Sequence, residues 1–116
     1  RLLANLAEEE ANWGPVAATV VITAILAAMQ RHELVSGLQE NGCMALAKIA
    51  RVNEANEASI AAAGGITAIL GAMKVHPSEP SLQKFGCAAL VNIASRNEAN
   101  RVSIGAAGGI AAIIGA

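Results

Sequence analysis

Few residues in this chain have the type and spacing to do chemistry. A thiolate could attack a carbonyl or hold a metal, but Cys43 and Cys87 stand 44 residues apart, far from the spacing of a metal knuckle. His32 and His76 recur at the same distance; with no Asp anywhere and no third ligand in step, they make a poor metal site. The serines at 36, 59, 78, 81, 95 and 103 fall where helix caps and turns are expected, so no nucleophile, base and orienting group assemble. The Gly64-Gly65 and Gly108-Gly109 pairs have no strand before them and no Lys-Ser/Thr after, which excludes a phosphate loop. The expectation is a protein without catalysis, cofactor or metal.

The composition fits that expectation. Hydrophobic residues make up 54% of 116 residues and aromatics 2%, with Trp13 and Phe85 the only large rings. Alanine and glycine in such numbers suit closely packed helices, and no Val/Thr/aromatic run alternates as a strand would. A net charge of −1 gives no bulk attraction to nucleic acid. The apolar stretch 16–29 is shorter than the ~20 residues that span a bilayer. With no secretory signal visible, free thiols and a reducing compartment, cytoplasmic or nuclear, are expected. Arg1 stands where a Met would open a full chain, so an excerpt of a longer protein is expected.

What positions these residues is repetition. Shifted by 44, Ile22-Thr-Ala-Ile-Leu26 falls on Ile66-Thr-Ala-Ile-Leu70, Gly42-Cys43 on Gly86-Cys87, and Asn53-Glu-Ala-Asn56 on Asn97-Glu-Ala-Asn100. Between 21–72 and 65–116, 31 of 52 positions are identical without a gap, which chance cannot produce. The single domain 1–116 then divides into the end of one unit (1–12), unit one (13–56), unit two (57–100) and the start of a third (101–116).

Each unit is punctuated into helices. Asn-Glu-Ala-Asn opens a short helix that Gly-Gly ends, the asparagines capping it and a glycine taking the left-handed conformation. A second helix runs from Ile66 to about Met73, its stripe Ile66, Ile69, Leu70 and Met73, and His76-Pro77 stops it. A third runs from about Ser81 to Ala94, with Leu82, Cys87, Leu90 and Ile93 buried and Gly86 allowing close approach. His32 and His76, near the ends of the second helices, are placed to bond terminal carbonyls. Unit one departs from the pattern: Val20-Val21 replaces Gly-Gly, and Trp13-Gly14-Pro15 replaces Glu57-Ala58-Ser59. Two valines cannot supply the turn, so one helix is expected from about Pro15 to Met29.

Three helices in 44 residues, with Gly64-Gly65-Ile66…Ile69-Leu70, Gly86-Cys-Ala-Ala-Leu-Val-Asn-Ile-Ala94 and Asn97…Asn100, resemble an armadillo repeat along the whole chain. HEAT repeats are the near neighbour, but they have two helices and lack the short Gly-ended one. The resemblance implies an all-α, right-handed solenoid of about two and a half units, whose third helices line a concave groove that binds an extended peptide or a partner helix. It also implies an Asn near the end of each third helix gripping the partner's backbone; the matching positions are Asn5, Lys48 and Asn92. One turn earlier, where import receptors of the family carry Trp, stand Arg1, Met44 and Ala88, and a further turn back Asn41 and Phe85. Spacings of three and four put Asn41, Met44 and Lys48 on one helix face and Phe85, Ala88 and Asn92 on its equivalent. All are expected to be at least partly exposed on one surface.

Plainer roles stand beside these. Asn5 and Asn92 suit local bonding, Lys48 a solvated surface, Phe85 inward packing, Trp13 a shield for the first unit's edge, and both cysteines buried thiols on neighbouring helices that pack about 8–10 Å apart, too far for a disulfide without rearrangement. A protein-binding scaffold and a structural spacer within a longer solenoid are both compatible with the pattern. Ile110, Ile113 and Ile114 lie in a final stretch, 104–116, without charge, and self-association through uncapped ends is expected.

Overall fold

The computed structural model describes residues 14–108, and all regular structure among them is helical. Six helices follow in order: α1 (Pro15–Arg31), α2 (Ser36–Val52), α3 (Glu54–Ala62), α4 (Gly65–Val75), α5 (Pro80–Ala94) and α6 (Glu98–Ala106). None is long and apolar enough by itself to cross a membrane.

The short helices α3 and α6 start where the sequence places a cap. The Asn53 side chain accepts from the Asn56 N–H at 2.8 Å, and Asn97 accepts from Asn100 at 3.0 Å, each filling one of the donors that a helix start leaves open. The second asparagine of each motif is itself buried and donates backwards, Asn56 to Ile49 O (3.0 Å) and Asn100 to Ile93 O (3.1 Å). One tetrapeptide thereby ties a helix start to the helix end before it.

At the end of α3 the two glycines have different duties. Gly64 has φ +91°, a left-handed conformation, and Gly108 repeats it at +84°. Gly65 opens α4 so close to α3 that a Cβ there would lie 2.3 Å from Ile60 Cγ2 and 2.8 Å from Ile60 O. Helices α3 and α4 meet at 68°. In unit one, α1 runs unbroken for 17 residues from Pro15, as the valines at 20 and 21 predict.

The core is built from the same positions in both units. Ile22, Ile25 and Met29 of α1 match Ile66, Ile69 and Met73 of α4, and all are buried, whereas Leu70, expected in the stripe, is only half-buried. Met29 lies against Gly42 and Met73 against Gly86; a Cβ on either glycine would stand 2.6 Å from the sulfur. Among the described residues the most extensive interface joins the long helices α2 and α5. Removing these apolar side chains from water is the dominant stabilising term, about 2 kcal/mol for each large one.

Candidate functional site

The residues singled out for a groove lie along α2 and α5. Asn41, Lys48, Phe85 and Asn92 are half-buried and Ala88 is exposed, but Met44 is buried at 8% exposure, against the expectation that it be open. Its place on α2 lies within the fully packed stretch 42–47, where burial of a long thioether is favoured over its exposure to water. Asn5 and Trp13 lie outside the described residues. Phe85 packs against the core, and the Lys84 ammonium sits 5.5 Å from its ring centroid.

Asn92 makes a specific contact. Its Nδ2 donates at 2.8 Å to the carbonyl of Ala47, on the neighbouring long helix. A side-chain amide has two N–H bonds and one oxygen, so one donor is committed within the fold, and among the described residues the second N–H and Oδ1 take no other bond. Residue 92 thus stitches α5 to α2.

The ends of the long helices are held by a network that sequence reasoning did not foresee. Glu57, at the first turn of α3, is completely buried. Its carboxylate accepts from the Arg96 backbone N–H (3.1 Å), from Arg96 Nε (2.7 Å) and from Ser95 Oγ (3.3 Å). Arg96 continues to the end of α2, where Nη2 donates to Ala50 O (3.0 Å) and Arg51 O (2.9 Å). A buried carboxylate is tolerable because three donors and one countercharge meet it. The only sequence signal was a departure from repetition: position 57 corresponds to Trp13 and Arg101, and position 96 to Val52.

The histidines need a correction. They cap the ends of α1 and α4, but the terminal carbonyls there are taken by glutamines: Gln39 Nε2 donates to Met29 O and His32 O at 2.9 and 3.0 Å, and Gln83 Nε2 to Met73 O and His76 O at 2.9 and 3.0 Å. A flexible amide reaching back from the next helix satisfies two carbonyls at once, which a ring fixed at the helix end cannot do. His76 instead reaches across units, its Nε2 standing 2.7 Å from Glu33 O. The repetition of Gln39 at Gln83 was the signal that would have found this.

The thiols differ. Cys43 is fully buried, and that burial pushes its pKa up to about 12; Cys87, expected to be buried, is only half so, and desolvation raises its pKa too. Both are free, and neither has the depressed pKa of a nucleophile.

A cleft of about 580 Å³ opens between α1 and α4, lined by Leu26, Gln30, Glu33, Thr67, Gly71 and Val75 among others. None of the expected groove residues lines it. No family model, no curated protein and no solved structure matches this chain.

Proposed function

We propose that this chain is a segment of a right-handed armadillo-type solenoid, and that it is a protein-interaction scaffold rather than an enzyme. An extended peptide or partner helix runs across α2 and α5, over Asn41, Lys48, Phe85, Ala88 and Asn92, with Asn5 on the preceding unit in the equivalent position. Met44 contributes packing beneath this surface rather than contact. The partner is a protein segment, not nucleic acid or a membrane, no cofactor takes part, and the working compartment is the cytoplasm or nucleus.

The single observation that carries the reading is Asn92. It stands half-buried on the long helix, tied to Ala47 O at 2.8 Å, with its remaining amide functions on a face that also carries the exposed Ala88 one turn away. Such an amide, immobilised by one bond, offers a donor and an acceptor to a peptide backbone at low entropic cost. The same bond favours a second reading, in which Asn92 serves only to join units and the segment is a spacer within a longer solenoid.

Selection of displayed linear peptides of about a dozen residues against the chain separates the two. A binding groove enriches a family of sequences whose affinity falls at least about tenfold with Ala88→Arg, which fills the exposed face without touching the core. Failure to enrich any peptide, or enrichment indifferent to Ala88→Arg, leaves the spacer.

A further inference from the structure

The cleft between α1 and α4 holds about 580 Å³, a volume ordinary for a small-molecule site. Its α4 wall follows one face of that helix, from Ala68 through Gly71 to Val75, and Leu26 closes it from α1. Gly71 has no backbone reason to be glycine. It lies inside a helix, its φ is not positive, a Cβ there would meet nothing within 4 Å, and the matching residue of unit one is Ala27. Glycine in a helix interior is destabilising relative to alanine, and what it leaves here is open space on the cleft wall.

The polar part of the lining is small and of one sign. Gln30 and Thr67 are neutral, and Glu33 is the one ionisable side chain among the described lining residues. It too departs from repetition, since Pro77 stands at the matching position. Its backbone is tied to α4, where the C-cap residue His76 donates from Nε2 to Glu33 O at 2.7 Å. Unit one ends its helix in Arg31, but the match on α4 is Val75, so the wall carries a branched apolar side chain in place of a cation. Arg31 and Lys74 are exposed and do not line the cleft. Helices α1 and α4 both terminate at the end where Glu33 and Val75 lie, and the negative end of each helix dipole favours a positive charge there.

We propose that this cleft binds a small organic cation, an ammonium group carried on an apolar body the size of a single ring. The Glu33 carboxylate and the two helix ends hold the charge, the body lies against Leu26, Ala68 and Gly71, and Gln30 and Thr67 orient it by hydrogen bonds. Charge selects this occupant. An anion would meet Glu33 and two negative helix ends, and a neutral apolar molecule would take water from the carboxylate without giving it a countercharge. The site is independent of the peptide surface, because neither Phe85 nor Asn92 lines it.

The test titrates the 116-residue chain at low salt with phenethylamine, and in parallel with phenethyl alcohol and hydrocinnamate, which keep the ring and change only the charge. Backbone amide shifts in NMR spectra report where and how tightly each binds. The amine is expected to give saturable shifts at Glu33, Thr67, Ala68 and Gly71, with an affinity at least about threefold above the alcohol and about tenfold above the carboxylate. Gly71→Leu fills the cleft and improves helix propensity; it is expected to weaken amine binding at least about tenfold while the thermal midpoint stays at or above that of the parent. Glu33→Gln is expected to keep alcohol binding and to bring the amine down to the same affinity. Saturable shifts only outside the cleft, equal affinity for all three probes, or amine binding that survives Gly71→Leu overturns the proposal. Tighter binding of a lysine-containing peptide than of phenethylamine at the same residues would give the cleft to a partner's side chain and overturn it in the form stated.

Discussion

Unit one and unit two share most of their residues from α1 onward, yet they turn the chain differently. Between Pro15 and Arg31 the backbone is one helix; across the matching stretch of unit two it stops at Ala62, passes through Gly64 at φ +91° and restarts at Gly65 with its axis swung by 68°. The core positions beyond the turn, Ile22 against Ile66 and Met29 against Met73, are the same, so packing downstream does not require the break. The difference lies in two side chains. A valine is strongly disfavoured at positive φ, and one at the second position would collide with Ile60, so a β-branched pair leaves continuation of the helix as the accessible path.

The largest expected effect comes from forcing unit two to resemble unit one. Gly65→Val drives a branched side chain into Ile60 Cγ2 and the Ile60 carbonyl, backbone that cannot step aside. A loss of about 3 kcal/mol or more in urea unfolding is expected, since overpacking against backbone lies at the severe end of such changes. A variant as stable as the parent would mean that α3 and α4 can fuse as α1 has done.

Next in size is the contact that unit one lacks. Arg96→Ala strands the Glu57 carboxylate in the interior and also strips donors from Ala50 O and Arg51 O. Because the arginine side chain is itself 42% exposed, water can reach the vacated space, and the expected loss is about 2–3 kcal/mol rather than the full cost of a sealed pair. Glu57→Gln, which keeps the shape and some of the bonds, should cost less than Arg96→Ala; the reverse order would show that the network is held by packing and not by charge.

Gly64→Ala isolates the conformational part of the turn. Space is open around the site, so only the positive φ is at stake, and about 1–2 kcal/mol is expected. The converse change in unit one, Val20→Gly with Val21→Gly, removes the side chains that forbid the turn and should weaken α1 at that point, at a cost of about 2 kcal/mol for two glycines inside a helix; a helix as stable as before would show that the valines are not what keeps it continuous.

The smallest effect is on titration. The Cys43 pKa is raised from 9.0 to about 12, so the folded chain holds that proton where the unfolded chain releases it. The associated stability is complete below pH 9 and declines as pH rises towards 12, and Cys43→Ala should flatten this alkaline slope. Cys87→Ala should change it less, as the more open thiol is less desolvated; equal slopes would mean that the two sites are equally sealed.

Much of the architecture was legible from residues alone because its causes are local. The 44-residue repetition, the Asn caps at 53 and 97, the left-handed Gly64, the stop at His76-Pro77 and the unbroken α1 each follow from backbone preferences acting within a few residues. What a side chain touches across units is not local. That Asn92 spends a donor on Ala47 O, that Met44 is buried, and that Gln39 and Gln83 rather than the histidines seal the helix ends all depended on which helices came to lie together. Glu57 is the sharpest case: nothing in its sequence neighbourhood distinguishes it from an ordinary surface acid at a helix start, and its burial depends on Ser95 and Arg96 arriving from 38 and 39 residues away. Repetition determined the units; only the packing of one against the next decided which equivalent positions are covered, because a buried surface belongs to a pair of elements and is written in neither alone.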